Sequence, residues 1–463
     1  MSEPVAFLSS QKSKAEKSSL SIVTNTMIGF GSDLIICVLA LVAGVVIARV
    51  LGPQNRGLFA VITLINTYLA SVVMFGTGTA AEIQLAKGEY SLPVVHGFAV
   101  FFSVMMGFLC LFLFLILKQW FSHLFFANID SKFCFVALFL VTPVLYLTIC
   151  NRMMVGMNQI LTLNVFKVTK GILDLVTAVF FLLILPFGLV GAVIAWVVTV
   201  LVTASIQFWW LLKQSGWKLE LNSGAARESF LLGWRICLAF LPMAAVMGID
   251  SFILNHFYGA KAVGLYAVAY GMMFRIVFLF DAFLNATRAK IIGQSRESAE
   301  KLVRLLIRHS VFIALMASVT LCLFRKLVIQ WLYGGAFVAA ADAFVILSVG
   351  MIAIPVGNFL GIYAVGQLKK PGIIASVNWL NLVLGLLLYF SLIPKFGLLG
   401  AAWASSLISV IRVIGYLWVL RWFSLSDVKD TLFLCKQDLV FWRERFRLLW
   451  GNLAVRFAND RSS

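Results

Sequence analysis

The chain has 463 residues, of which 62% are hydrophobic and 12% charged, with a formal net charge of +18 and a mean hydropathy of +1.00. A soluble globular domain is only about 45–50% apolar, so this composition excludes one and predicts a polytopic membrane protein. The positive charge has no soluble basic domain to sit on, and nucleic acid is not an expected partner.

A bilayer core about 30 Å thick takes about 20 apolar residues per spanning helix. Residues 1–19 are polar, with Lys12, Lys14 and Lys17, and read as a tail. The apolar run that follows is too long for a signal peptide, so the first helix is expected to be retained. Spans are predicted near 20–49, 58–81, 93–117, 132–155, 161–185 and 188–212, forming an N-lobe over 20–213. After a polar loop at 214–228, further spans near 229–255, 264–287, 303–324, 338–364, 371–393 and 397–420 form a C-lobe over 229–422. The predicted fold is therefore an all-α integral membrane bundle of about twelve helices in two six-helix lobes. In the remaining 423–463, Trp442, Phe446, Leu449, Leu453 and Phe457 recur at helical spacing among Arg443, Arg445, Arg447 and Arg456. That pattern reads as a basic amphipathic helix on the membrane surface, with a docking helix for a partner as the alternative.

The two lobes read as copies. Leu51-Gly52-Pro53 through Gly57-Leu58-Phe59-Ala60-Val61 aligns with Tyr258-Gly259-Ala260 through Gly264-Leu265-Tyr266-Ala267-Val268 at an offset of 207. Phe187-Gly188-Leu189-Val190-Gly191-Ala192 aligns with Phe396-Gly397-Leu398-Leu399-Gly400-Ala401 at 209. Two matches at nearly one offset predict an internal duplication, the common build of secondary transporters, with the substrate between the halves. Six helices per half give both lobes the same orientation.

Lys and Arg concentrate in the N-tail, the even-numbered loops and the C-tail, which places both termini in the cytoplasm. The seven cysteines are scattered without a CxxC pair, and the four histidines are far apart. Neither a disulfide framework nor a metal site is expected. No GxxxxGK[ST], GxSxG or HExxH motif occurs. A membrane glycosyltransferase or polymerase would need catalytic carboxylates or histidine on a sizeable loop. The longest outer stretch, about 118–131, offers only Lys118, His123 and Asp130. An enzyme is not the expected reading, and no cofactor is implied.

Ionisable groups within a span are costly and mark function. In the first helix Asn25, Gly29, Ser32, Asp33 and Ala40 share a face, giving either close packing or a cavity wall with Asp33 as a proton or cation site. In the fifth, Lys167, Lys170 and Asp174 share a face, and Lys170 and Asp174 are spaced to pair; a lysine left over would hold an anion. The seventh carries Arg235, Pro242, expected to kink it, and Asp250, which reads either as a helix terminus in solvent or as an ion site. The eighth carries Arg275 and Asp281, too far apart in register to pair. Arg275 lies mid-span and demands a carboxylate, carbonyls or an anionic ligand. It reads as a cavity residue, with a salt bridge to Asp33 or Asp250 as the alternative. Arg412 lies on a polar face with Ser405, Ser409 and Tyr416, lining the cavity or reaching to the membrane surface. Asn358, Asn378 and Asn381 would bind sugar hydroxyls or bond across helices. Cations exceed carboxylates inside the bundle, which suits a phosphate or diphosphate head group.

Ala48-Arg49-Val50-Leu51-Gly52-Pro53 with Gly57-Leu58-Phe59, and Gly76-Thr77-Gly78-Thr79-Ala80, resemble bacterial polysaccharide flippases of the multidrug/oligosaccharidyl-lipid/polysaccharide superfamily. So do Asp250 with Gly264-Leu265-Tyr266-Ala267-Val268-Ala269, and the two Phe-Gly-Leu loops. The resemblance spans roughly 20–420 and excludes the tail. It implies a two-lobed fold shared with the superfamily's multidrug exporters, and alternating-access transport of an undecaprenyl-diphosphate-linked oligosaccharide across the bacterial inner membrane. In that picture Arg275, Arg412, Lys170, Asn378 and Asn381 are the candidate substrate residues. Asp33, Asp250 and Asp281 are the candidate ion-coupling residues, and the polysaccharide polymerase machinery is a candidate partner. The alternatives are a cation-coupled multidrug exporter, a flippase for the peptidoglycan precursor, and a membrane glycosyltransferase or polymerase.

Overall fold

The computed structural model describes the backbone of residues 3–124, 130–246, 248–421 and 431–432, with side chains from Gly29 onward apart from residues 117–124, 235, 239, 240, 243, 244, 286 and 289. The N-tail lysines, Asn25, Lys118, His123, Arg235 and the basic and aromatic residues of the predicted tail helix thus lie outside the described side chains.

Among the described residues the regular structure is helical throughout. The N-terminal half comprises α1 (Glu3–Val73), α2 (Thr77–Lys87), α3 (Leu92–Leu124), α4 (Ser131–Phe139), α5 (Val141–Gly156), α6 (Ile160–Val179) and α7 (Gly188–Gln214). The C-terminal half comprises α8 (Ser223–Val246), α9 (Ile249–Gly293), α10 (Arg296–Leu323), α11 (Arg325–Tyr333), α12 (Ala340–Gly366) and α13 (Pro371–Arg421). Eight of the helices or joined helix pairs are long and apolar enough to cross a membrane. Two of these, α1 and α13, each join two limbs of spanning length across a kink, at Gly52 and Gly397. With α6 and its π-helical end Phe180–Ile184, and α8 continuing into the start of α9, the arrangement agrees with the roughly twelve predicted spans.

The junctions expected to be loops are instead single-residue bends. α1 bends at Gly52 (φ 66, ψ 175) and α9 at Gly259 (φ 74, ψ 178). That region of backbone space is open essentially only to glycine, and Pro53 then begins the second limb of α1, where its missing N–H costs nothing. The two bends have the same geometry at the sequence offset of 207. Gly188 and Gly397 likewise share positive φ values of 57° and 55°. The repeat is therefore carried in the backbone as well as in the residues.

The bends let the halves cross. A Cβ on Gly57 would collide with the carbonyl oxygen of Ala260, and one on Gly264 with that of Pro53. Each glycine meets the repeat equivalent of the carbonyl that the other meets, so the crossing is a pseudo-twofold contact. At this end one apolar core runs through both lobes, with Leu51, Phe59 and Ile62 in the same cluster as Val263, Tyr266, Phe337 and Phe344. At the end carrying the polar N-tail the cores are separate. One lies within the N-lobe around Val95, Phe102 and Met153, the other within the C-lobe around Ile291, Ile307 and Phe359.

The break in the seventh span does not fall at Pro242. α8 runs through that residue to Val246, and the chain turns at Gly248 (φ 87). A proline removes one hydrogen bond from a helix that its neighbours still hold, whereas a left-handed glycine ends the helical path outright.

Candidate functional site

Four neighbouring cavities occupy the interior. The central one, about 400 Å³, lies between the lobes and is walled by α1 and α9, with Asp250 and Arg275 among its lining residues. A second, about 210 Å³, lies within the C-lobe between α9, α12 and α13. A third, about 300 Å³, is bounded by Asp33, Lys167, Lys170, Asp174 and Asp281. A fourth, about 250 Å³, lies within the N-lobe. They adjoin through shared residues: Asp250 borders the first and second, Asp281 the second and third, Lys167 and Lys170 the third and fourth.

Arg275 sits where the lobes meet. Its Nη2 donates to the carbonyl of Ala40 on α1 at 2.9 Å, and the Cys37 thiol donates to the Arg275 carbonyl at 3.6 Å. The guanidinium lies over Gly44, one turn further along α1, where a Cβ would intrude on Nη2. Among the described residues Arg275 forms no salt bridge with Asp33 or Asp250, and its Nε has no partner. Arg56, at the start of the second limb of α1, lies within electrostatic reach of Arg275 and Tyr333. Its Nε and the Tyr333 hydroxyl are also without partners among the described residues. Two guanidiniums within electrostatic reach of one hydroxyl, with no carboxylate paired to them among the described residues, form a donor-rich corner suited to an anion. Arg56 escaped the sequence reading because it sits beside a predicted loop, where a basic residue calls for no explanation.

Asp250 is an interior residue and not a solvated helix end; it is 5% exposed. The turn at Gly248 places it in the first turn of α9. Its Oδ2 accepts from the Tyr266 hydroxyl at 2.6 Å and from Ser405 Oγ at 3.2 Å, and its Oδ1 from the Ser251 N–H at 2.7 Å. Tyr389 extends this network to Ser405 at 3.4 Å. Tyr266 and Tyr389 were not legible as partners, because they come from other predicted spans than Asp250.

Arg412 turns inward rather than to the membrane surface. Its Nη2 donates to the Ile354 carbonyl at 3.3 Å and to Asn358 Oδ1 at 3.4 Å. Asn358 Nδ2 in turn donates to Asp281 Oδ1 at 2.7 Å, so an amide bridges the guanidinium and the carboxylate. Asn378 and Asn381 line the same C-lobe cavity, each with one amide atom unpartnered among the described residues. Lys170 and Asp174 pair at 2.7 Å, as their spacing predicts. The candidate substrate residues therefore fall in three places: Arg275 between the lobes, Arg412 with Asn378 and Asn381 inside the C-lobe, and Lys170 on the N-lobe side. Asp33 lies near Lys167 in the third cavity. The described residues hold no cluster fit for a metal ion.

The model of the family described as "Polysaccharide biosynthesis protein" matches residues 22–285. The chain is 28% identical over 267 residues to the capsular polysaccharide biosynthesis protein CapF of Staphylococcus aureus, covering 55% of this chain and 66% of that protein. The chain thus spans just under two thirds of the length of that relative. Among solved structures, the lipid II flippase MurJ in an inward closed conformation matches with a TM-score of 0.67 at 15% identity, covering 88% of this chain and 89% of that one. A multidrug resistance MATE family transporter of the MOP superfamily, in an inward-facing conformation, matches with a TM-score of 0.66 at 17% identity, covering 86% and 99%. At such identities the likeness is one of fold. With a match over more than half its length, this multi-pass membrane chain belongs to the polysaccharide biosynthesis protein family.

Proposed function

We propose that the protein moves an undecaprenyl-diphosphate-linked oligosaccharide repeat unit across the bacterial cytoplasmic membrane by alternating access, supplying O-antigen or exopolysaccharide synthesis. The observation that carries this reading is Arg275: a guanidinium between the lobes, bonded to a backbone carbonyl, with Arg56 within electrostatic reach and, among the described residues, no carboxylate paired to it. A diphosphate would satisfy both forks, while the sugars ride in the central cavity and the lipid stays in the bilayer. Arg412 and Asn378 offer further donors from the C-lobe cavity, and Asn381 an acceptor. Lys170 contributes less, because Asp174 already neutralises it.

Asp33, Asp250 and Asp281 are the proposed ion-coupling groups. Asp250 borders both the central and C-lobe cavities, so a change in its charge is felt on both sides. The Lys and Arg asymmetry favours cytoplasmic termini, which would put the separate cores on the cytoplasmic side and the shared core outside. The polymerase that consumes the flipped unit is a fitting partner. The protein binds and moves its substrate without making or breaking its bonds.

The test is a clean deletion complemented with wild type or Arg275→Ala. Surface glycan should disappear in the deletion, with lipid-linked repeat units accumulating on the cytoplasmic face, and should return with wild type but not with Arg275→Ala. Unchanged glycan with altered drug sensitivity would replace this reading with a multidrug exporter. Single units left unpolymerised on the outer face would point to an enzyme or assembly role. Full rescue by Arg275→Ala would remove that residue from the route.

A further inference from the structure

The cavity inside the N-lobe has no part in the mechanism above. At about 250 Å³ it has the scale of one sugar ring, and it lies between the second limb of α1, α5, α6 and α7. Two buried amides line it. Asn66 donates its Nδ2 to the Ala137 carbonyl at 2.7 Å, which fixes the amide's orientation and leaves Oδ1 without a partner among the described residues. Gln207 donates Nε2 to Asn151 Oδ1 at 3.3 Å and leaves Oε1 likewise. Both residues are nearly inaccessible, at 0% and 2% exposure. A buried acceptor without a donor is a cost that a ligand hydroxyl would relieve. Trp196 adds an aromatic wall against which the C–H face of a sugar ring would pack.

The charge of the cavity narrows the ligand. Lys167 and Lys170 line it and no carboxylate does. Lys170 is held by Asp174 at 2.7 Å, which leaves Lys167 as the uncompensated cation on this side. On the far wall Lys167 faces the neighbouring cavity, where Asp33 lies within its electrostatic reach and Asp281 also borders the space. One positive charge matches one carboxylate better than the several charges of a diphosphate.

We propose that the N-lobe cavity is a glycan subsite for a pyranose bearing a single carboxylate. Its hydroxyls donate to Asn66 Oδ1 and Gln207 Oε1, and its carboxylate takes Lys167 in competition with Asp33. This deepens the flippase reading and rests on it, since it is the lipid-linked repeat that carries the acidic sugar.

The test is thermal unfolding of the full chain purified in detergent, titrated with D-glucuronate, D-glucose and inorganic phosphate at matched ionic strength. A ligand bound only by the folded state raises the melting temperature by mass action. Glucuronate is expected to raise it saturably at millimolar concentrations, with glucose giving a much smaller shift; phosphate answers at the Arg275–Arg56 corner, so its response should be the same in Lys167→Met as in wild type. Lys167→Met should reduce the glucuronate response to that of glucose. Asp33→Asn, by removing the competitor, should lower the half-saturating concentration several-fold. Asn66→Leu combined with Gln207→Leu should abolish both sugar responses, and if that variant does not fold, Lys167→Met, which alters a cavity-exposed side chain, still decides. No saturable response to glucuronate, equal responses to glucose and glucuronate, or an unchanged response in Lys167→Met would each overturn the proposal. Soluble-sugar binding is independent of the deletion phenotype. Absent binding alongside lost surface glycan defeats the subsite alone; binding alongside intact glycan defeats the flippase reading alone.

Discussion

The two ends of the bundle are joined in different ways. At the bent end, where α1 and α9 turn at Gly52 and Gly259, the lobes share one apolar core and cross with backbone against backbone at Gly57 and Gly264. At the other end each lobe keeps its own core. Among the described residues the contacts between them there are local. Phe75 packs its ring near Phe230 and Trp234 at 6.3 and 6.2 Å, and Gly76 lies against Gly233. Ser229 donates to Gln84 at 2.9 Å and Tyr90 to Glu228 at 2.8 Å, while Phe30 meets Phe283 across the α1–α9 side at 5.2 Å. Opening the second end separates these rings and hydrogen bonds and one close backbone approach, at Gly76 and Gly233. Opening the bent end exposes a continuous apolar core at about 25 cal/mol per Å². The conformation is thus closed where closure is expensive to undo, and in the proposed transport cycle ligand or ion binding would have to reverse that preference.

This difference sets the order of expected effects. Gly57→Val or Gly264→Val places side-chain atoms on a backbone carbonyl that cannot step aside, and each should cost about 1–3 kcal/mol by overpacking. The readouts are a clear fall in melting temperature together with lost glycan output. Gly233→Val meets the Phe75 carbonyl in the same way, but in a region free to part. It should impair transport with less than half the thermal shift of Gly57→Val. Equal shifts for the two would show that the ends are equally tied. Ser229→Ala removes a buried hydrogen bond to Gln84 and should cost about 1 kcal/mol, measured by denaturant or thermal unfolding in detergent. Tyr90→Phe removes an exposed bond to Glu228 and should change stability by less than about 0.5 kcal/mol. A larger effect would mean that this surface contact carries the second end.

Much of this architecture was legible in the chain. Span length and the offset of 207 led to a two-lobed helical bundle, because both depend on patterns local to a segment or copied between segments. The i, i+4 pair of Lys170 and Asp174 was legible for the same reason. What escaped was whatever depends on three-dimensional neighbours. Residues 50–57 looked like a loop between two spans, yet one glycine turn followed by a proline at a helix start gives a bend instead. Asp250 looked peripheral, since its distance along the span hid the turn at Gly248 that brings it beneath Tyr266 and Ser405. Arg412 looked able to reach the surface, but the Ile354 carbonyl and Asn358 hold it inside. Arg56 lay in plain view without any local pattern to single it out.

The segment joining the two halves limits how far they travel. It leaves α7 through Ser215, whose hydroxyl bonds the carbonyls of Leu212 and Lys218 at 2.9 Å each. It is then fastened to the start of α3, where the Glu220 N–H donates to the Pro93 carbonyl at 3.1 Å. Asn222 already caps α8, its Oδ1 accepting from the Ala225 N–H at 3.1 Å. One residue of free chain, Leu221, remains between the fastening at Glu220 and the cap at Asn222, a reach of at most about 7 Å. The foot of α8 is therefore leashed to the foot of α3. In the proposed cycle, motion of the C-terminal half would be a swing about this corner with little sliding, opening a gap widest on the side of the bundle farthest from the leash.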